Sequence, residues 1–184
     1  MQCKIFSNPK SNADALTPVR FYLDKYYPYR HHTNPKFNPF SGLILDVKEQ
    51  KPNGILYFTT QLRSFLSSNE EFVICVIPSH EYGIAPSGIR TIAKNLCRHP
   101  IIDGTAVIKR VKEMPKKTAG GIRDLNAEIE SLGIENENIV KGKQVLLLDD
   151  VTTSGTSLYA GKHILEKAGA KLVVMHALAL TESE

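Results

Sequence analysis

Residues 145–157, Val-Leu-Leu-Leu-Asp-Asp-Val-Thr-Thr-Ser-Gly-Thr-Ser, constrain the chain more than any other stretch. Val145 to Leu148 read as a strand buried on both faces, and Leu158 to Lys167 read as a helix. Between them lie two adjacent carboxylates, Asp149 and Asp150, and a hydroxyl-rich loop, Thr152, Thr153, Ser154, Gly155, Thr156 and Ser157. A helix N-terminus offers unpaired backbone N–H groups and the positive end of a dipole, which together suit a phosphate. Hydroxyls from Thr153, Ser154 and Ser157 can add donors, and Gly155 lets the backbone approach a ligand closely. Two carboxylates beside an anion site repel bare phosphate. They make sense facing sugar hydroxyls or a bound magnesium ion. The plain alternative is a buried strand followed by a cap-rich turn, with Ser154 or Ser157 only capping the helix.

This stretch resembles the 5-phosphoribosyl-1-pyrophosphate (PRPP) motif of the type I phosphoribosyltransferases over thirteen positions without a gap. The resemblance implies that Asp149 and Asp150 hold the ribose hydroxyls and that residues Thr152 to Ser157 hold the 5′-phosphate. Two other phosphate-site readings fail. No G-x-x-x-x-G-K-[ST] run occurs. A receiver domain needs four more strands after its acidic pair, whereas only one strand-like run, Lys171 to Leu180, follows here.

The chain has 184 residues, 42% of them hydrophobic, and a formal charge of +4, which fits one soluble globular domain. No apolar run approaches the roughly 18 residues of a membrane helix, and Met1 to Leu16 lacks the apolar centre of a signal peptide. A cytoplasmic protein is expected. The mild positive charge suits an anionic substrate and does not by itself argue for nucleic acid. Cys3, Cys75 and Cys97 form no C-x-x-C pair, so neither a zinc ribbon nor a disulfide framework is indicated.

Upstream of the motif, Phe72 to Ile77 reads as a second buried strand, running into Pro78, Ser79, His80 and Glu81. A polar loop at the carboxyl end of a parallel strand is where open α/β sheets bind ligands. Apolar spacing gives helices over Ile55–Leu66 and from about Pro86 to Arg98. By the resemblance, the loop binds pyrophosphate through Ser79, His80 and Glu81. Gly104 to Arg110 reads as a further strand, leading into the basic, glycine-containing segment 111–121. Lys109, Arg110, Lys112, Lys116 and Lys117 can neutralise a departing pyrophosphate there; the plain reading is a solvated basic loop. Arg123 to Leu132 reads as a helix ended by Gly133, and Gly169 as the C-cap of the motif helix. A short helix over Val19–Tyr26 is expected in an otherwise irregular, tyrosine-rich N-terminal arm.

Alternation of strand and helix from residue 54 to 180 predicts a parallel-sheet, three-layer α/β core, with the motif strand central. The expected division is a hood over residues 1–70 and a phosphoribosyltransferase core over 71–184. Within the family, Lys141 to Asp150, the helix Gly88 to Cys97 and residues 112–121 look most similar to the competence-protein-F-like group. Members of that group often begin with a four-cysteine zinc ribbon, where this chain has Cys3 alone. The resemblance implies magnesium-assisted transfer of a phosphoribosyl group from PRPP to a nitrogen nucleophile, a nucleobase or an amine, with release of pyrophosphate. A PRPP or nucleotide sensor without turnover is the alternative. The acceptor is not legible, and such folds often form homodimers.

Overall fold

In a computed structural model of the chain, residues 5–6, 20–114 and 124–182 are described. Their centre is a parallel sheet in the order β1/β2–β8–β7–β3–β4, so the motif strand is central as expected. The strands are β1 (Arg20–Phe21), β2 (Asp24–Tyr26), β3 (Phe72–Val76), β4 (Ile101–Asp103), β7 (Gln144–Thr152) and β8 (Leu172–Thr181). A separate antiparallel ribbon pairs β5 (Ile108–Arg110) with β6 (Leu132–Ile134). The helices are α1 (Pro39–Lys48), α2 (Pro52–Phe65), α3 (Gly88–Leu96), α4 (Leu125–Glu130) and α5 (Thr156–Lys167).

The strand period of two explains the three layers. Phe72, Ile74 and Val76 of β3 and Leu146 and Leu148 of β7 turn to one face, where they meet Ile44, Val47, Phe58, Leu62, Ile89 and Ile92 of α1, α2 and α3. Val73, Cys75, Val145 and Leu147 turn to the other, against Leu158, Ile164 and Leu165 of α5 and Ile108 and Leu132 of the ribbon. Every residue of β3 is buried, as a strand covered on both sides requires. The caps follow the sequence: Asn38 accepts from Ser41 N–H at 2.8 Å before α1, and Ser87 accepts from Arg90 N–H at 3.3 Å before α3. No helix among the described residues is long and apolar enough to cross a membrane.

Three sequence expectations need correction. The expected helix over Val19–Tyr26 is instead two short strands, β1 and β2, both parallel to β8. Ten-residue β8 presents a long edge, and this arm covers it, with Leu23 N–H donating to Leu178 O at 3.2 Å. The run Gly104–Arg110 is not one core strand. The sheet strand is β4, and residues 104–107 turn out of the sheet before β5 joins the ribbon. Asp103 drives the turn by accepting from Thr105 N–H at 2.8 Å. Lastly, the helix expected over Arg123–Leu132 is the shorter α4, and Gly133 does not stop it but lies inside β6.

Gly88, the first residue of α3, permits the close approach of α3 to α1. A Cβ there would lie 2.0 Å from Val47 O. Gly88→Ala is expected to cost about 1–3 kcal/mol by forcing the two helices apart, measured as a lower midpoint in urea unfolding.

His176 of β8 is buried and stacked on Phe65, with ring centroids 6.0 Å apart and planes 16° apart. Burial pushes its imidazole down to about 4. The unfolded chain therefore takes up this proton first, near the ordinary value of about 6.5. Stability is expected to fall as pH drops from 6.5 to 4, at up to about 1.4 kcal/mol per pH unit, and to be insensitive to this group above that window. Urea midpoints at pH 7 and pH 5 check this, since His176→Phe should remove that share of the fall.

Candidate functional site

The register of the central strands places the acidic pair. β3 ends at Val76, opposite Leu148, and Ile77 N–H donates to Leu148 O at 2.9 Å. β7 runs on past the end of β3, paired there with β8 alone, so Asp149 and Asp150 emerge at the carboxyl edge beside residues 78–81. A crevice of about 640 Å3 opens there. Its walls are Asp149, Asp150, Val151 and Ser157 from the motif; Ile77 to Glu81 from the loop after β3; Pro86 to Ile89 from the start of α3; Val47, Lys48 and Gln50 from the end of α1; and Arg110 of β5.

Each acid is oriented by the backbone that follows it. Asp149 Oδ1 accepts from Asp150 N–H at 2.9 Å, and Asp150 Oδ1 accepts from Val151 N–H at 2.6 Å. The remaining oxygen of Asp150, Oδ2, accepts from Lys48 Nζ at 3.2 Å. Lys48 Nζ also lies 5.8 Å from the centre of the Tyr26 ring. Burial works against the Lys48 ammonium, but Asp150 more than offsets it by charge and hydrogen bond, so the group stays above the ordinary lysine value. Sequence reasoning did not single out Lys48. Its side chain comes from the last turn of α1, far from the motif in sequence.

The motif loop turns as its glycine requires: Gly155 has φ +87° and stands just before the first residue of α5. Thr152 and Ser157 are buried, Thr153 and Ser154 exposed. Ser154 Oγ and Thr156 Oγ1 share a hydrogen bond of 2.7 Å. Ser154 Oγ accepts from Thr156 N–H at 3.4 Å, and Gly155 has no side chain to cap α5, so the turn leaves the N–H groups of Ser157 and Leu158 to a ligand or to water.

Arg110 is 1% exposed, and its guanidinium faces the back of the loop. Nε donates to Ser79 O at 2.9 Å, Nη2 to Pro78 O at 3.2 Å, and Nη1 and Nη2 to Glu128 Oε1 at 3.2 Å. Nη1 also donates to Ser131 Oγ. Glu128, fully buried, is the counter-ion. The loop also accepts from Met114 N–H at His80 O, 3.2 Å, and Ser79 Oγ accepts from Glu81 N–H at 3.3 Å.

Thus Asp149, Asp150, Ser157, Ser79, His80 and Arg110 come together on one crevice. Thr152, Thr153, Ser154, Gly155 and Thr156 form the turn that leads to Ser157. Lys109 points elsewhere on the ribbon, with Nζ 3.4 Å from Glu135 Oε1, and Lys112 pairs with Glu130 at 3.5 Å. Lys116 and Lys117 lie outside the described residues. Among the described residues no three His, Cys, Asp or Glu side chains cluster as a metal site.

A family model described as the phosphoribosyl transferase domain matches residues 90–183, half of the chain. The chain is similar to the adenine phosphoribosyltransferase of Treponema denticola, 37% identical over 67 residues, covering 36% of this chain and 35% of that protein. It is also similar to the adenine phosphoribosyltransferase of Caldanaerobacter subterraneus, 30% identical over 79 residues, 43% and 44% of the two chains. The matched segments therefore span under half of those relatives. Among solved structures, a hypoxanthine phosphoribosyltransferase from Staphylococcus aureus matches with a TM-score of 0.35 and 13% identity, over 79% of this chain and 69% of that one. The chain belongs to the phosphoribosyl transferase domain family.

Proposed function

We propose that the crevice binds PRPP and transfers its phosphoribosyl group to a nitrogen nucleophile, releasing pyrophosphate. One observation carries this reading: the acidic pair, Ser157 in the first turn of α5 and the loop 78–81 meet around one cavity at the carboxyl edge of the sheet. In this reading the 5′-phosphate sits on the first turn of α5 with Ser157. Asp149 and Asp150 grip the ribose hydroxyls. Backbone N–H groups of residues 78–81 hold pyrophosphate, and Arg110 serves that contact through the loop carbonyls it binds. Lys116 and Lys117 supply cations to the leaving group from segment 115–123.

Two carboxylates are hard oxygen donors, a fit for a magnesium ion that takes its other ligands from phosphates and water. Bound there, magnesium would neutralise charge on the pyrophosphate. The chain's own part is to hold phosphate, ribose and leaving group fixed while charge moves from C1′ to pyrophosphate. Inversion at C1′ follows if the acceptor approaches opposite the pyrophosphate. The chain's segment before residue 70 then serves as the hood, since α1 forms the wall facing the motif. Within the family we place the chain nearest the competence-protein-F-like group, on the turn and strand Lys141 to Asp150.

Pyrophosphate release from PRPP, assayed with adenine, hypoxanthine, guanine, uracil and ammonia, tests the proposal. Release with at least one acceptor supports transfer. PRPP binding with no release on any acceptor would replace transfer by sensing, and absence of PRPP binding would end both readings.

A further inference from the structure

The chain ends two of its helices with the same hydrogen-bonded turn, built around different residues. At the end of α5, Ala170 N–H donates to Leu165 O and Gly169 N–H to Glu166 O, both at 3.0 Å, with Gly169 at φ +88°. At the end of α1, Lys51 N–H donates to Asp46 O at 2.8 Å and Gln50 N–H to Val47 O at 3.0 Å, with Gln50 at φ +57°. The position taken by Gly169 and Gln50 needs a left-handed backbone, which favours glycine because a Cβ is crowded there. Gly169 packs against Lys141 and has no site to serve. Gln50 lines the crevice. A side chain kept where the backbone prefers none is an observed outlier that points to a use for that side chain.

The turn cannot swing away. A Cβ on Gly54 would lie 2.4 Å from Leu43 O, and one on Gly88 2.0 Å from Val47 O, so α2 and α3 both clamp the end of α1. Lys48, two residues before Gln50, is tied across the crevice to Asp150. The proposed function assigns the start of α5 to phosphate, the acidic pair to ribose, and residues 78–81 to pyrophosphate. The end of α1 and the start of α3, Pro86 to Ile89, are left for the acceptor, and Gln50 brings a carboxamide to that side. Lys48 is already neutralised by Asp150, so this wall carries no spare charge for a carboxylate. The Gln50 carboxamide offers one acceptor and an NH2 donor side by side. That pair matches the adjacent donor and acceptor on the edge of a neutral heterocycle.

We propose that Gln50 is a specificity-determining residue whose carboxamide reads the hydrogen-bonding edge of an uncharged nucleobase. The inference rests on the phosphoribosyl reading of the crevice, and the experiment separates the two. The full chain is titrated calorimetrically with ribose 5-phosphate, AMP, IMP, GMP, UMP and CMP. At least one nucleotide should bind about tenfold more tightly than ribose 5-phosphate, the value of roughly two neutral hydrogen bonds. Gln50→Gly should erase that increment and leave ribose 5-phosphate affinity unchanged. Its melting temperature should rise by about 2–4 °C as the left-handed position is relieved. Gln50→Asn, one methylene shorter, should lose most of the increment as well. The inference is overturned if Gln50→Gly keeps the increment, if its melting temperature falls, or if ribose 5-phosphate binds and no nucleotide binds better. Failure of ribose 5-phosphate to bind the unaltered chain overturns the crevice reading itself, and this inference with it.

Discussion

Replacing Asp149 and Asp150 together by alanine is expected to weaken ribose 5-phosphate and PRPP binding by about 10²-fold or more. Hydrogen bonds from sugar hydroxyls to ionised carboxylates contribute about 1.5–3 kcal/mol each, so two contribute about 3–6 kcal/mol. An opposing effect must be weighed. Removing two negative charges near an anionic ligand relieves repulsion, by about 1 kcal/mol per pair in well-solvated surroundings. The hydrogen bonds win, but the loss sits toward the low end of the range. The pair should not act equally. Asp150 already shares Oδ2 with Lys48 and Oδ1 with Val151 N–H, whereas Asp149 is the more buried of the two. Asp149→Asn should therefore cost more binding than Asp150→Asn, in which Lys48 is freed to meet a phosphate. Calorimetry on the two single variants and the double alanine variant checks this. Melting curves show whether the fold is kept. Unchanged affinity in the folded double variant would remove the basis of the proposed function.

What was legible beforehand was whatever local chemistry alone decides. Residues 145–157 carry their strand, acids, turn and helix within thirteen positions, and no distant contact had to be known. Phe72–Val76 announced itself by apolar content, because burial on both faces leaves no room for polar residues. The misread parts depended on partners far along the chain. Arg20–Tyr26 is extended only because the edge of β8, some 150 residues later, has hydrogen bonds to offer. The run from Gly104 to Arg110 looked like one strand, although Asp103-Gly104 is itself a turn signal that its apolar neighbours masked. Lys48 and Gln50 were invisible for the same reason. Nothing within a few residues of them shows that α1 ends over the acidic pair. Arg110 was singled out from the sequence, but nothing near it showed its buried partner Glu128, eighteen residues away on α4.

That partner makes Arg110→Met the most damaging single change expected in the fold. It would strip from Glu128, a carboxylate that is 0% exposed, the guanidinium that its Oε1 meets at 3.2 Å. Breaking a buried pair from one side costs about 3–5 kcal/mol, a large share of the roughly 5–15 kcal/mol that holds an ordinary domain together. The attraction itself is not the main loss. Both ions had been desolvated, and most of the cost is the charge left behind. Arg110→Met/Glu128→Met should therefore be more stable than Arg110→Met alone, because apolar residues can replace a buried pair at little net cost. Urea unfolding of both variants tests the sign. A double variant no more stable than the single one would mean that the carbonyls of Pro78 and Ser79, which lose their donor in both, dominate. The same double variant separates holding the fold from holding the loop. Its sheet, acidic pair and α5 turn are intact, so ribose 5-phosphate should bind with near-unaltered affinity. The loop 78–81 has lost its anchor, so pyrophosphate binding should weaken, by about tenfold if one well-placed hydrogen bond to the loop is lost. If pyrophosphate instead binds the folded double variant as it binds the unaltered chain, residues 78–81 do not hold the leaving group, and the assignment of that wall of the crevice has to move elsewhere.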